Sequence, residues 1–182
     1  MVGIVLFGDR SPRLHCSVDA IAKTDVAVVC ELSGDTFVAA HMGQATVEIT
    51  IDRPGMVTHE LKAPAGTPHP IMAAGRVIEA VAARNAELAA TEHPWVGVET
   101  YFLGEVHAGD FYNRFPNRCR LVGTRRWAPG NTLPAVEAEF QALLEPIARE
   151  TGCSIDLDLK LVRGAYAIDP EHPLAVALRA GY

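Results

Sequence analysis

Clustered positive charge is missing from this chain. Its 16 lysines and arginines are outnumbered by 22 aspartates and glutamates, for a net charge of −6. Neutralising a phosphate backbone needs basic side chains gathered on one face, so a nucleic-acid partner is excluded. The one basic group, Arg114, Arg118, Arg120, Arg125 and Arg126, is short and suits a small anion. Cysteine is sparse. Cys16, Cys30, Cys119 and Cys153 form no C-x-x-C pair, which argues against a zinc knuckle or redox motif. Scattered thiols fit a reducing, cytoplasmic setting. Long apolar runs are also absent. MVGIVLFGDR has no positive stretch ahead of it and meets a charge after a few apolar residues, so it is neither a secretory signal nor a membrane span. No H-x-x-x-H spacing occurs. His15, His41, His93, His107 and His172 read as surface or core histidines, not as a ligand set.

What is present can form a folded core. Hydrophobic residues make up 49% of the 182 positions and charged residues 21%, ordinary values for a globular protein. Gly3 to Phe7 and Asp25 to Cys30 are apolar, β-branched runs bounded by turn residues, as in strands buried on both faces. Ser17 to Lys23 between them fits a short crossover helix. The opening run reads as a buried strand with nothing ahead to cover it, so an upstream neighbour is expected to be missing.

From Gln44 the texture changes. Val47, Ile49 and Ile51 alternate with Thr46, Glu48 and Thr50, the pattern of a strand with one wet face. After a loop rich in Pro and Gly, Ile71, Ala74, Ile78, Val81 and Leu88 fall at helical spacing. Val96 to Leu103 alternates again, and Arg118 to Trp127 is a further strand. Asn131 or Thr132 caps a second helix with the stripe Leu133, Val136, Phe140, Leu143, Leu144 and Ile147. Pro134 fits its first turn, Pro146 should kink it, and Gly152 should end it. SIDLDLKL then alternates as a last strand. The order β-α-β-β-α-β is that of the ferredoxin-like sandwich, an α+β fold of four antiparallel strands with two helices on one face. It is placed at residues 44–162, with a partial α/β segment at 1–43 and the start of a return into that segment's domain at 163–182.

Three segments carry residues suited to chemistry. GDFYNRFPNRCRLVGTRRWAPG offers Asn113, an amide, and Arg125 and Arg126, whose planar forks match a carboxylate. Read alone, the arginine pair also fits solvated strand residues, the commoner case. GMVTHELKAPAGTPHPI offers His59, which by itself is more often a loop histidine with no duty. TDVAVVCELSGD ends a buried strand at Glu31. Such a carboxylate suits zinc, or simply faces water.

Together these segments resemble the zinc-dependent peptidase/deacylase family of acetylornithine deacetylase, succinyl-diaminopimelate desuccinylase and aminoacylase. The resemblance rests on Asn113, Pro116, Cys119, Arg126 and Pro129-Gly130 in one spacing, and on His59 ahead of a Pro/Gly loop. It implies a lid or dimerisation domain. In the family, Asn113 and Arg126 would hold the substrate carboxylate, with Arg125 beside them. His59 would reach across a homodimer to a developing oxyanion as a preorganised N–H donor, and Glu31 would bind zinc.

The departures matter as much. The family's paired glutamates, one the general base and one a metal ligand, follow a Gly-Asp. Here Gly8-Asp9 is followed by Arg10 and Ser11, and a guanidinium cannot accept a proton from water. The family's upstream His-x-Asp ligands and its last histidine have no counterpart. The expectation is a truncated or degenerate family member that forms a homodimer, binds a small N-acyl amino acid or peptide by its carboxylate, lacks a complete zinc site and is inactive alone. The alternative from another class is a stand-alone ferredoxin-like module that binds a small regulatory molecule.

Overall fold

The computed structural model describes residues 38–181. The elements expected at 3–7, 17–23 and 25–30 lie outside the described residues. Ala39–Ala175 is one compact unit. Its six main elements are β1 (Gly43–Asp52), α1 (Pro70–Leu88), β2 (Thr100–Ala108), β3 (Arg118–Trp127), α2 (Leu133–Thr151) and β4 (Ser154–Arg163). The four strands form an antiparallel sheet in the order β2-β3-β1-β4. This is the ferredoxin-like plan expected from the alternation of patterns.

One face of the sheet is the core. Ala45, Val47, Ile49 and Ile51 of β1 and Cys119, Leu121 and Trp127 of β3 are buried on it, every second residue in each strand. Val136, Phe140, Leu144 and Ile147 of α2 pack onto this face. Each such side chain contributes about 1.5–3 kcal/mol by leaving water. The other face is open and polar, carrying Glu48, Asp52, Arg118, Arg120 and Arg126 among others. Arg118 meets Asp52 there at 2.7 Å, and Arg120 meets Glu48 at 2.9 Å. The two cysteines in this unit, Cys119 and Cys153, are buried and free, and burial pushes both thiols upward in pKa.

The ends of α2 follow its sequence. Thr132 Oγ1 accepts from the Ala135 N–H, Pro134 stands in the first turn, and Gly152 closes the helix at φ 68°. The kink expected at Pro146 does not end the helix, which continues to Thr151. The bond Pro146 forfeits is the one to the Ala142 carbonyl. Ala142 is exposed, so water can take that acceptor.

Two expectations are corrected. The buried stripe of α1 is Ala73, Ala74, Val77 and Val81, while Ile71 and Ile78 are 43% and 40% exposed. Small side chains let the helix lie close to the sheet and leave the two isoleucines on an outer face. The strand expected over 96–103 instead runs Thr100–Ala108, after a two-residue ribbon of Glu92–His93 and Gly97–Val98. Its pairing with β3 shifts between Leu103 and Glu105. The extra residue, Gly104, reverses which side chains face the core, so a strict period of two fails halfway along.

The centre of the sheet is packed backbone to backbone at Gly123, where an added Cβ would meet the Phe102 carbonyl. Gly123→Ala is expected to lower unfolding free energy by about 1–3 kcal/mol in urea titration. Gly75→Ala, on α1 with open space around it, should raise it by roughly 0.5–1 kcal/mol. Equal effects at both positions would contradict this packing.

Candidate functional site

At one end of the sheet two loops are stitched together. Thr58–His59 pairs with Arg114–Phe115, placing His59 opposite Arg114. The Glu60 N–H donates to the Asn113 carbonyl at 3.0 Å, and the Arg53 N–H to the Asn117 carbonyl at 3.0 Å.

The Arg53 guanidinium holds the stitch from inside. Only 8% of this residue is exposed. Nε donates to the Pro116 carbonyl at 2.7 Å, Nη1 to Pro54 at 3.0 Å, and Nη2 to Met56 at 3.0 Å and Phe115 at 3.3 Å. The group also sits 5.0 Å from the Phe115 ring centroid. A planar fork satisfied by carbonyls of both loops fixes their separation. Sequence reading missed Arg53. A lone charge after a strand and before a proline carries no signal of its partners.

His59 is set by this frame. Its Nδ1 accepts from the Leu61 N–H at 3.2 Å. In the neutral ring the hydrogen therefore resides on Nε2, which becomes the donor. The Asn113 amide nitrogen lies 3.3 Å from that Nε2, and turning the amide over, which leaves its outline unchanged, presents its oxygen to an Nε2–H. Around the pair open a cleft of about 520 Å³, lined among others by His69, Phe111, Tyr112 and Phe115, and one of about 440 Å³, lined by Val57, His59, Phe111 and Arg114. Both volumes suit a small molecule. Arg114 is engaged with Asp110 at 2.6 Å.

The structure brings His59 and Asn113 together but not Arg126. Arg126 sits near the far end of β3, across from Gln44 and Thr100 on the open face. Eight residues of strand separate it from Arg118, roughly 27 Å at about 3.4 Å per residue, and Asn113 lies beyond Arg118.

Arg125 points the other way, into the core, with a fully buried side chain. Nη2 donates to Glu99 at 2.6 Å and to Glu139 at 3.0 Å, and Nη1 donates to the Arg126 carbonyl. The group lies 4.3 Å from the Tyr101 ring centroid, and the Tyr101 hydroxyl donates to Glu139 at 2.6 Å. Its fork is already taken, so its expected place beside a substrate carboxylate, or in solvent, is corrected to a buried ionic knot. Adjacent strand residues face opposite ways, and the two neighbouring arginines divide between core and open face. Glu31 lies outside the described residues. Among the described residues no group of three or more His, Cys, Asp or Glu could hold a metal. No helix there is long and apolar enough to cross a membrane.

Two carboxyls tie stability to pH. For Glu139 burial works upward, but hydrogen bonds from Tyr101 and Arg125 outweigh it and hold the group below the usual range. For Asp52 the hydrogen bonds from Arg118 dominate and lower it. A carboxyl depressed in the folded state binds fewer protons folded than unfolded. Its contribution is complete above the unfolded value, about 4, and is lost as pH falls through the folded value. Unfolding free energy should be level from about pH 5 to 7 and decline below about pH 4. Glu139→Gln should make that decline shallower, and an unchanged acid limb would contradict the knot. For the loop clasp, Arg53→Met should speed amide exchange at Glu60 and Leu61 about tenfold. Arg53→Lys should not restore it, because a point charge cannot span those carbonyls. Unchanged exchange in both variants would refute the clasp.

The chain was compared with known proteins. Residues 39–152 match the family model described as peptidase dimerisation domain. No curated protein matches. Among solved structures, an amidohydrolase/peptidase from Burkholderia cenocepacia is similar at 21% identity and a TM-score of 0.61, covering 79% of this chain and 33% of that one. Aminopeptidase PepT from Bacillus cereus is similar at 22% identity and 0.58, covering 79% and 36%. A dinuclear metal-binding peptidase from Bacillus subtilis is similar at 20% identity and 0.55, covering 82% and 35%. At these identities the likeness is one of fold, and the chain spans about a third of the length of these structures. The match across β1, α1, β2, β3 and α2 makes this chain a member of the peptidase dimerisation domain family.

Proposed function

We propose that this chain supplies the dimerisation and substrate-holding part of a cytoplasmic zinc amidohydrolase acting on N-acyl amino acids or small peptides, and is not competent for hydrolysis by itself. The observation that carries this reading is the division of polar groups. His59, whose Nδ1 accepts from the Leu61 N–H, stands beside Asn113 at one end of the sheet. Arg126, which has no carboxylate partner among the described residues, sits towards the other.

One copy cannot apply both ends to one small substrate, but two copies can. β2 is an edge strand, with Phe102 61% and Val106 56% exposed, and the outer face of α1 beside it carries Ile71 and Ile78. The opposite edge, β4, is blunted by Asp156, Asp158 and Lys160. Antiparallel pairing of β2 with β2 of a second copy sets the Ala108 end of one strand beside the Thr100 end of the other. His59 and Asn113 of one copy would then lie at the same end as Arg126 of its partner. There His59 and Asn113 would hold the amide carbonyl as charge develops on its oxygen, and Arg126 would clasp the carboxylate.

When bound, zinc would supply the activated water. Glu31 is the one ligand this chain would bring to it, and Arg10 stands where a general base is needed. Purified chain with zinc should therefore release no amino acid from N-acyl substrates. Zinc-dependent release would overturn the inactivity. Sedimentation equilibrium should show a dimer that Ile78→Lys weakens about tenfold or more, and a strict monomer at high concentration would refute the shared site.

A further inference from the structure

Nearly every arginine of the sheet and its loops is occupied. Arg118 holds Asp52 at 2.7 Å, Arg120 holds Glu48 at 2.9 Å, Arg114 holds Asp110 at 2.6 Å, Arg125 holds Glu99 and Glu139, and Arg53 holds carbonyls. Two sheet arginines are not. Among the described residues, neither Arg126 nor Arg163 has a carboxylate or carbonyl partner. Among the described residues the one other arginine without such a partner, Arg149, lies in the last turn of α2, where the helix end accommodates a cation.

Arg126 and Arg163 are neighbours by construction of the sheet. Gln44 of β1 faces Arg126 of β3 on one side and Arg163 of β4 on the other. Directly paired residues share a face, so Arg126 and Arg163 stand on either side of Gln44 on the open face, with Cα atoms roughly 10 Å apart across two strand spacings. Thr100 completes the row opposite Arg126.

The pairing of Arg163 depends on an irregularity. The register runs Ala45 with Leu161, then shifts, so that Gln44 meets Arg163 and Val162 is the extra residue. Without that bulge Gln44 would face Val162, and Arg163 would fall on the core side. The bulge turns the second arginine onto the face of the first. Two permanent cations brought side by side with no acid between them repel each other until an anion joins them.

We infer that Arg126 and Arg163, with Gln44 and Thr100 between and beside them, form a binding site for a doubly charged, dicarboxylic substrate end, so that the preferred substrate class is N-acylated acidic amino acids. This rests on the reading of Arg126 as the carboxylate clasp and adds Arg163 as the residue that selects the second charge. Each guanidinium takes one carboxylate through a two-pronged contact, and Gln44 supplies a neutral amide to the link between them.

The test compares N-acetylglutamate with N-acetylglutamine, which match in shape and differ by one charge, by NMR titration of the full chain at fixed ionic strength. The native chain should bind N-acetylglutamate about tenfold or more tighter. Arg163→Gln should abolish that preference, the loss falling on N-acetylglutamate about tenfold more than on N-acetylglutamine, and Arg126→Gln should weaken both ligands. Arg163→Lys, which keeps the charge, should retain part of the preference and shows that loss in Arg163→Gln is not loss of fold. If Arg163→Gln leaves the preference intact while Arg126→Gln weakens both, the dicarboxylate site is refuted and the proposed function stands. An equal loss of both ligands in Arg163→Gln means one carboxylate shared by two arginines, which also refutes it. No effect of Arg126→Gln on either ligand removes the clasp itself, and the inference with it.

Discussion

The ten residues of β3, Arg118 to Trp127, are hydrogen-bonded on both flanks and behave as a ruler. A strand between two partners can neither slide nor bend locally without losing two ladders at once, and a slip by one residue would move every core side chain to the wrong face. That rigidity sets the separation between the His59–Asn113 end and the Arg126 end. It also sends Arg125 inward and Arg126 outward. The core and the two separated polar ends are thus consequences of one register.

Local devices refine what the ruler sets. Arg53 converts two loops into one rigid piece by giving its donors to carbonyls on both. The Leu61 N–H then orients the His59 ring by donating to its Nδ1. At the far end the bulge near Gln44 does comparable work for Arg163. Each device is a small irregularity on a regular frame, placed where polar groups must be aimed.

The frame was legible in the sequence because it is periodic. Val47, Ile49 and Ile51 announce a strand with one wet face, and the stripe through Val136, Phe140 and Leu144 announces a capped helix. What escaped lay where periodicity is broken or serves two purposes. Gly104 reverses the alternation within β2 and hid its second half. Ile71 and Ile78 sit at core spacing but face outward, because the smaller Ala73, Ala74 and Val77 take the positions against the sheet. Of the candidate residues, His59 and Asn113 do meet, whereas the likeness of Arg125 to Arg126 concealed opposite fates. The partners of Arg53 and the bulge beside Arg163 depend on contacts between residues far apart in the chain, which no local pattern encodes.

A substrate shared between copies can be examined by mixing subunits. An Arg126→Gln chain and a His59→Ala chain each form dimers in which every site has lost one half. In a dimer containing one of each, the intact His59 of one copy faces the intact Arg126 of the other. Equilibrated in equal amounts, the two variants should recover binding of an N-acyl amino acid at about a quarter of all sites. If both halves of the site belonged to the same copy, mixing would restore no binding at all, and the shared arrangement would be wrong.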